Sequence, residues 1–392
     1  MDFTQLLKVM SDRGASDLFV TAGAAPAIKV DGTIKPLTKE TLKPEQARKL
    51  VYSTMNDKQL AEFEGTHECN FAISAQGIGR FRVSAFVQRN TPGMVMRRIN
   101  TYIPTLEELN LPPVLKDLSM TKRGLILFVG GTSTGKSTSL ASMIDYRNSH
   151  HAGHIITIED PIEYIHHHKK SIVTQREVGL DTDSYEVALK NTLRQAPDVI
   201  LMGEIRDSET MKYGLSFAET GHLCMATLHA NNANQALDRI ISFFPSDNHA
   251  QVWMDLSLNL KAIVAQQLLP TVDGQGRRAA IEVMINTPLI QDMVRKAAVH
   301  EIKDVIKKST NIGMQTFDQS LFQLYKEGVI SYDVALSHAD SSNDLRLMIK
   351  LNAETHAKSK IPILGEEAMP SFTLQEEDDN MNLGGVAEVR NI

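Results

Sequence analysis

The stretch LILFVGGTSTGKST, residues 125–138, joins an apolar run to a glycine-rich loop that ends in Gly-Lys-Ser. The loop follows the pattern GxxxxGK[ST], in which glycines let the backbone N–H groups curl around a phosphate. Lys136 would carry charge to the β- and γ-phosphates, and the Ser137 hydroxyl would bind Mg²⁺. The residues that follow fit a helix whose positive end would face the anion. The sequence therefore predicts a nucleotide site rather than a structural glycine turn.

The whole loop is expected to contact the nucleotide phosphates. Its residues are Gly130, Gly131, Thr132, Ser133, Thr134, Gly135, Lys136, Ser137 and Thr138.

Length and composition indicate an ordinary globular protein of two or three domains. The chain has 392 residues, of which 42% are hydrophobic and 22% charged. No run approaches the about 18 apolar residues of a membrane helix, and the N-terminus lacks the apolar core of a signal peptide. Cys69 and Cys224 are the only cysteines and have no metal-type spacing. These features favour a reducing, cytoplasmic setting.

Charge is unevenly distributed along the chain. The net charge is −6, and residues 351–392 hold eight acidic against three basic residues. The rest of the chain is therefore nearly neutral. A near-neutral core without a basic stripe argues against a dominant nucleic-acid surface, so no direct nucleic-acid partner is expected.

Pattern changes divide the chain into four parts. Residues 1–98 resemble a small α+β module, and a segment at 99–121, interrupted by prolines, suits a linker. In residues 122–352 strands alternate with helices, which predicts a parallel sheet covered by helices, followed by a helical subdomain. Residues 353–392 are acidic and without periodicity, and are expected to be disordered.

The element predictions can be stated individually. In the first module they are strands at Ser16–Thr21, Ala27–Val30, Cys69–Ile73, Gly79–Gln88 and Met94–Arg98 and a helix over Pro44–Phe63. In the second part they are strands at Leu125–Val129, Ile155–Glu159, Val199–Gly203 and Leu223–Leu228, and one after Arg278. Several amphipathic helices are expected between about 288 and 352.

Acidic residues follow two of these strands. TIEDPIE, residues 157–163, ends an apolar run with three carboxylates, which can orient Mg²⁺ or polarise an attacking water. The alternative is a helix start, because acids followed by proline favour one. PDVILMGE, residues 197–204, resembles a Walker B strand that delivers Glu204, although Gly203 stands where many such motors carry Asp. The alternative there is a buried strand capped by an exposed glutamate.

Histidines and arginines supply further candidates. His222 and His229 bracket an apolar strand and could donate to a γ-phosphate, although most single histidines are merely packed or solvated. Five arginines crowd the last strands of the first module. They are Arg80, Arg82, Arg89, Arg97 and Arg98. A solvated face is the usual explanation of such a group, and an arginine finger that reaches ATP phosphates is the alternative.

Together these motifs resemble the hexameric secretion ATPases, in particular the type IV pilus retraction ATPases of the PilT/PilU class. The resemblance extends to about residue 350 and rests on four segments: GGTSTGKST at 130–138, TIEDPIEYIH at 157–166, TLRQAPDVILMGEIRD at 192–207 and AETGHLCMATLHANNA at 218–233. Residues 73–90, residues 253–268 and the acidic tail are most similar to the PilU branch, the accessory paralogues.

The resemblance implies an ATP-hydrolysing ring of subunits, each with an N-terminal PAS-like domain, a RecA-like ATPase domain and C-terminal helices. It implies that Lys136 and Ser137 contact phosphate and Mg²⁺. Glu163 becomes the general base, and Glu204 becomes the Walker B acid that helps to hold the metal. His222 and His229 become residues near the phosphates.

The resemblance also implies contacts beyond one active site. Arg82, Arg97 and Arg98 would reach nucleotide across a domain or subunit boundary. The expected function is pilus retraction and twitching motility, at the inner-membrane base of the pilus machine. The expected partners are other copies of the chain in a hexamer, a related ATPase of the PilT type and an inner-membrane platform protein.

One segment departs from the family pattern and keeps other functions open. Residues 287–302, TPLIQDMVRKAAVHEI, do not match the motif associated with retraction in PilT. One alternative is therefore a nucleotide-gated adaptor ring that hydrolyses little ATP and acts with a catalytic paralogue. A second is a nucleic-acid translocase, whose activity would rise with DNA and whose DNA binding would weaken with salt.

Overall fold

Two sheets organise the protein. The computed structural model describes residues 3–30, 32–99 and 101–358. A six-stranded sheet near the N-terminus is followed by a seven-stranded sheet. This architecture confirms the predicted fold class. The predicted acidic tail lies outside the described residues apart from 353–358, which continue the last helix, so that part of the tail prediction is wrong.

The N-terminal sheet is antiparallel throughout, in the order β3-β2-β1-β6-β5-β4. Its strands are β1 (Asp17–Val20), β2 (Ala27–Val30), β3 (Thr33–Pro36), β4 (Glu68–Ala75), β5 (Gly79–Gln88) and β6 (Thr91–Ile99). Its helices are α1 (Phe3–Asp12), α2 (Pro44–Tyr52) and α3 (Asp57–Thr66). All five predicted strands are present. The four-residue strand β3 was not predicted, because all of it is exposed and no apolar alternation marks it.

Strand β5 shows why this sheet has two different faces. Phe81, Val83 and Ala85 are buried in the N-terminal core, where they pack with apolar residues of α1. Because side chains alternate along a strand, Arg80 and Arg82 project from the opposite face.

The predicted helix over Pro44–Phe63 is two helices, so that prediction is wrong. The first helix ends at Tyr52, and the second begins at Asp57. Asn56 caps the new helix: its side chain accepts a hydrogen bond from the N–H of Gln59 at 2.9 Å, and the Gln59 side chain accepts one from the N–H of Asn56 at 3.0 Å. Such a reciprocal capping box satisfies two N–H groups that have no partner within the helix.

The second sheet has the order β13-β12-β7-β11-β10-β8-β9, with every pair parallel except β12 and β13. Its strands are β7 (Gly124–Val129), β8 (His154–Glu159), β9 (Ile172–Glu177), β10 (Val199–Met202), β11 (Leu223–Leu228), β12 (Leu260–Pro270) and β13 (Arg277–Ile285). The predicted strands are all present. Two were missed: β9 is mostly polar, and β12 follows an apolar helix without a turn signal.

Helices cover this sheet and follow it. They are α4 (Val114–Ser119), α5 (Lys136–His150), α6 (Tyr185–Thr192), α7 (Ser208–Glu219), α8 (Ala233–Ser242), α9 (His249–Asn259), α10 (Pro288–Arg295), α11 (Ile302–Lys308), α12 (Phe317–Lys326), α13 (Tyr332–Ser337) and α14 (Ser342–Lys358). None of the helices in the described ranges combines the length and apolarity that crossing a bilayer requires. The amphipathic helices expected after residue 288 are present.

The central strands of the parallel sheet are buried on both faces. All six residues of β7 and all six of β11 are buried. This continuous apolar pattern is typical of strands that are covered by helices on both sides. The carboxyl ends of parallel strands meet at one edge of a sheet, so the segments after β7, β8, β10 and β11 lie together there.

The segment between the two sheets is packed rather than free. Leu106, Leu111 and Leu115 are buried in the core of the second sheet. The boundary of the predicted linker at 99–121 stays a prediction, but its leucines belong to the second core.

A buried glutamate next to α8 predicts a pH dependence of stability. Glu282 on β13 is 2% exposed and accepts a hydrogen bond from the N–H of Ala233 at 2.8 Å. Burial raises the pKa of Glu282 to about 7. The pKa of Glu282 in the folded protein lies above the unfolded value of about 4.3. Protonated Glu282 therefore makes its full contribution to stability below about pH 4.3. This contribution is lost as the pH rises through about 7.

Glu282→Gln is therefore expected to stabilise the protein at alkaline pH, because it removes the cost of ionising a buried carboxyl. The gain should be on the order of 2–3 kcal/mol near about pH 8.5 and vanish near about pH 4.5. Thermal unfolding at both values measures it, with the exposed Glu186→Gln as control. An equal effect of Glu282→Gln at the two values would contradict the assignment.

Candidate nucleotide site

The glycine-rich loop connects β7 to α5 and packs closely against β12 at two of its glycines. Gly135 has a positive φ of 88°, which favours glycine. A Cβ at Gly130 would lie 2.5 Å from the carbonyl oxygen of Gln266, and one at Gly135 would lie 2.7 Å from its Nε2. Larger residues would therefore force the loop away from β12. The helix predicted after the loop begins at Lys136.

Lys136 occupies the mouth of the loop. Its Nζ donates to the carbonyl oxygens of Gly130 at 3.0 Å and Gly131 at 2.6 Å. Burial lowers the pKa of Lys136, and the charges of Glu204 and Glu163 oppose that shift. Lys136, Glu163 and Glu204 thus share one electrostatic environment, as expected for one site. Because the loop carbonyls hold the ammonium in this structure, a bound phosphate would have to replace them.

Gln266 holds the loop from β12, and it was not predicted as a site residue. It is 2% exposed. Its Nε2 donates to the carbonyl oxygen of Thr134 at 2.8 Å, and its Oε1 accepts from Ser139 Oγ at 2.8 Å. One side chain therefore fixes both the loop and the first turn of α5.

Gln266→Leu is expected to weaken nucleotide binding, since it removes both hydrogen bonds and leaves the Ser139 hydroxyl without its acceptor. We expect the KM for ATP to rise about tenfold, because each lost hydrogen bond in a buried site costs about 1 kcal/mol or more. Gln267→Leu, the neighbour on the same strand, is the control. A KM equal to that of the control would show that the loop keeps its shape without Gln266.

Glu204 follows β10 and is held on both oxygens. Its Oε2 accepts from Arg206 Nε at 2.6 Å, and its Oε1 lies 2.9 Å from His229 Nε2. Arg206 also lies 3.6 Å from Oδ2 of Asp160, after β8. Arg206 thus joins the ends of two strands, a role that the sequence did not indicate. The structure brings the candidate residues Glu204 and His229 together.

His222 lies at the opposite edge of the sheet. It precedes β11, and its backbone oxygen accepts from the N–H of Gly124 at the start of β7. Its ring contacts Thr220 Oγ1 at 3.1 Å. The six residues of β11 separate it from His229 by roughly 20 Å. Within one chain His222 therefore lies away from the phosphate loop, because a strand places its two ends at opposite sheet edges. Its predicted place near a phosphate stays a prediction.

The segment after β8 contains no helix before β9 begins at Ile172, so the helix-start alternative for the carboxylates is wrong. Glu163 is exposed. Glu159 accepts hydrogen bonds from Thr157 Oγ1 at 2.6 Å and from Gln175 Nε2 at 3.3 Å. Burial nevertheless raises the pKa of Glu159 to about 7. Of these two carboxylates, Glu163 is therefore the one that is open to water.

The three predicted arginine contacts lie in different places. Arg82 Nε is 4.0 Å from Oε1 of Glu177 on β9. Arg97 pairs with Asp17 on β1 at 2.9 Å, and Arg98 donates to the carbonyl oxygen of Ser11 at 3.3 Å. Arg82 thus reaches the second sheet, whereas these bonds of Arg97 and Arg98 stay within the N-terminal domain.

Residues on the loop and after β10 carry oxygens of the kind that bind Mg²⁺. Among the described residues no cluster of three or more His, Cys, Asp or Glu side chains is arranged to hold a metal ion. Mg²⁺ suits such a site, because it usually takes one or two protein oxygens and completes its shell with water and phosphate. The Ser137 hydroxyl and the Glu204 carboxylate supply oxygens of the required kind, and so fit the ion.

Two cavities flank the loop. One of about 370 Å³ is lined by Gly135 and Thr138, by Leu109 and Asn110 before α4, and by Arg278. The other, of about 580 Å³, is lined by Gly131, His229 and Arg239 among others. The loop therefore has open space on both sides, and the first cavity is bounded by the segment that connects the two sheets.

Known proteins are similar to this chain in both sequence and fold. Residues 3–327 match the family described as "Type II/IV secretion system protein". The type IV pilus ATPase PilU of Pseudomonas aeruginosa is 68% identical over 357 residues, 91% of this chain and 94% of that protein. The type IV pilus retraction ATPase PilT of the same organism is 43% identical, over 86% of this chain and 98% of that protein.

Solved structures show the same similarity at the level of the fold. The crystal structure of the pilus retraction motor PilT with bound ADP has a TM-score of 0.83 and 42% identity, and covers 89% of this chain and all of that one. The Legionella pneumophila ATPase DotB shares the fold, with a TM-score of 0.73, 23% identity and coverage of 89% and 94% of the two chains. The chain thus belongs to the type II/IV secretion system protein family, as an ATPase of the PilT/PilU class.

Proposed function

We propose that this ATPase forms a hexameric ring that powers the retraction of type IV pili, and with it twitching motility. The observation that carries the proposal is the similarity to PilU along nearly the whole of both chains. The similarity in fold to the PilT retraction motor supports it. Because the relatives are named as ATPases, the comparisons do not favour the adaptor alternative.

The proposed chemistry is hydrolysis of ATP. Loop amides and Lys136 would hold the phosphates, and the oxygens of Ser137 and Glu204 would hold Mg²⁺. When bound, the ion neutralises charge on the phosphate oxygens. Glu163 accepts a proton as the water oxygen attacks the γ-phosphorus, and the bond to the β-phosphate oxygen of ADP breaks. His229 keeps Glu204 in place.

The nucleoside is proposed to occupy the cavity beside Gly135. Leu109 and Asn110 line it, and they lie in the segment between the two sheets. A nucleotide bound there would therefore touch the connection between the two domains. ATP and ADP can shift the angle between the domains only if the open and closed states bind them with different affinity. This difference would supply the mechanical step.

Contacts between subunits complete the proposed ring. Arg82, Arg97 and Arg98 are proposed to reach nucleotide from the N-terminal domain of the same or a neighbouring chain. His222 lies too far from the phosphates of its own chain, so any contact with phosphate would be made in a neighbouring subunit. The ring would act at the cytoplasmic face of the inner membrane, on a platform protein and together with an ATPase of the PilT type.

Deletion of the gene tests the role directly. Pilus retraction should be measured by microscopy in the deletion strain, with and without the PilT-type ATPase, and after complementation with the Lys136→Ala variant. We expect reduced retraction in at least one background and no rescue by the variant. Retraction at the wild-type rate in both backgrounds would refute the proposed function. Native mass spectrometry of the purified protein with ADP tests the hexamer.

A further inference from the structure

A buried carboxylate lies where the two domains meet. Glu177 ends β9, and its side chain is 1% exposed. Its oxygens have partners on different elements: Oε1 is 4.0 Å from Arg82 Nε on β5, and Oε2 accepts a hydrogen bond from the N–H of Ile162 at 3.3 Å. One side chain therefore contacts both the N-terminal sheet and the segment after β8.

Two arginines surround this carboxylate. Arg80 and Arg82 project from the same face of β5. Burial raises the pKa of Glu177, while the charges of Arg82 and Arg80 lower it. Among the described residues, the buried Nε of Arg80 has no hydrogen-bond partner. A buried guanidinium N–H without an acceptor is costly, and the charge of Glu177, which interacts with Arg80, would offset part of that cost.

The segment after β8 connects Glu177 to the candidate general base. Ile162 is 3% exposed, and Glu163 is the next residue. The N–H of Val178, next to Glu177, donates to the carbonyl oxygen of Glu159 at 2.9 Å. The segment 160–163 is thus tied to the end of β9 at its start and near its end. A shift of the Glu177 side chain would move the amide of Ile162 and, with it, the backbone of Glu163.

Electrostatics makes this link sensitive to the N-terminal domain. An ionised carboxylate that is buried without a charged partner is strongly unfavourable. If Arg82 moves away, the N–H of Ile162 and the more distant Arg80 are the partners that remain. The position of the carboxylate, and hence of Ile162, then depends on where the face of β5 lies.

We propose that Glu177 is a positioning residue that connects the segment carrying Glu163 to the Arg80–Arg82 face of β5. A change in the angle between the two domains would then move the general base. The inference deepens the proposed function, because it takes Glu163 as that base. It names a physical route by which domain movement and hydrolysis are coupled, as any allosteric coupling requires.

Hydrogen exchange of the nucleotide-free protein tests the link without hydrolysis. Among the described residues no hydrogen bond joins Arg82 to Ile162, yet Arg82→Gln should speed exchange of the Ile162 amide severalfold, and so should Glu177→Gln. The peptide that covers residues 158–165 reports this by mass spectrometry. Unchanged exchange in Arg82→Gln would overturn the proposal, even if Glu177→Gln alone speeds it. Should Glu177→Gln fail to fold, Arg82→Gln still decides.

Turnover provides the second readout. Each of these variants should lower kcat about tenfold, within the usual range of allosteric coupling. The kcat of the double variant should be no lower than that of the less active single variant, because both substitutions break the same link. Reductions that multiply in the double variant would show that Arg82 acts on turnover by another route, such as its proposed contact with nucleotide, and would overturn the shared link. Asp292 on α10 and Lys296, the residue after that helix, form an ion pair at 2.6 Å and supply the control variants Asp292→Asn and Lys296→Gln, for which no change is expected.

The turnover of Glu163→Gln tests the role of Glu163 as general base separately from the positioning role of Glu177. Turnover equal to the wild type in that variant would refute the assigned base, and with it the proposed chemistry. Loss of turnover in Glu163→Gln, together with unchanged exchange in Arg82→Gln, would leave the proposed chemistry standing and overturn only the role of Glu177.

Discussion

Lys136→Ala is expected to reduce ATP turnover by about a thousandfold or more, because it removes the positive charge that the loop itself supplies to the phosphates. In the structure the ammonium donates hydrogen bonds to the carbonyl oxygens of Gly130 and Gly131. Alanine removes both bonds and the positive charge that would balance the γ-phosphate. Steady-state phosphate release measures turnover, and calorimetric titration with ADP measures binding.

A matched control separates the loss of this lysine from a general change of charge. Lys190 is an exposed lysine on α6, and Lys190→Ala should turn over at the wild-type rate. Lys136→Arg should not restore activity, because a planar guanidinium is longer and cannot take the place of a compact ammonium inside the loop. Turnover in Lys136→Ala within about tenfold of the wild type would contradict the assignment of the loop to catalysis.

The phosphate loop could be predicted because its chemistry is contiguous. Eight neighbouring residues carry the glycines, the lysine and the hydroxyl, so one short pattern contains the cradle. Glu204 and His229 could be predicted for a second reason. Each follows an apolar run, and the ends of adjacent parallel strands must meet, which places the two residues 2.9 Å apart.

Residues that act across the sheet could not be found in the same way. Gln266 is 132 residues from Thr134 along the chain, and only the position of β12 beside β7 brings them together. Strand β12 itself gave no distinct signal, so its polar residue could not be placed. Arg206 and Glu177 were missed for the same reason: their roles depend on partners that the fold, not the local sequence, supplies.

His222 shows what the direction of a strand adds to a sequence pattern. The apolar run between the two histidines predicts a strand, and the two ends of a strand lie at opposite edges of the sheet. Strand polarity puts only the residue after the strand at the phosphate edge. His229 meets Glu204 there, whereas His222 meets the start of β7.

Glu204→Gln is expected to lower kcat about a hundred- to a thousandfold while ADP binding changes little, as when one preorganised electrostatic group is removed. Glutamine keeps the size of the side chain and removes its charge. Arg206 would then keep only Asp160 as an acidic partner, and His229 would face an amide. Because the phosphate loop is held separately by Gln266, its affinity for ADP should survive.

The contrast between kcat and binding is what identifies the role of Glu204. The exposed Glu209→Gln, in the first turn of α7, removes the same charge nearby and should keep wild-type turnover. If Glu204 served only to pair with Arg206, then Arg206→Gln would lower kcat as much as Glu204→Gln does. We expect a smaller loss in Arg206→Gln, since the carboxylate and its contact with His229 remain. Equal losses in both variants, or a loss of ADP affinity that matches the loss of kcat, would assign Glu204 a structural role instead.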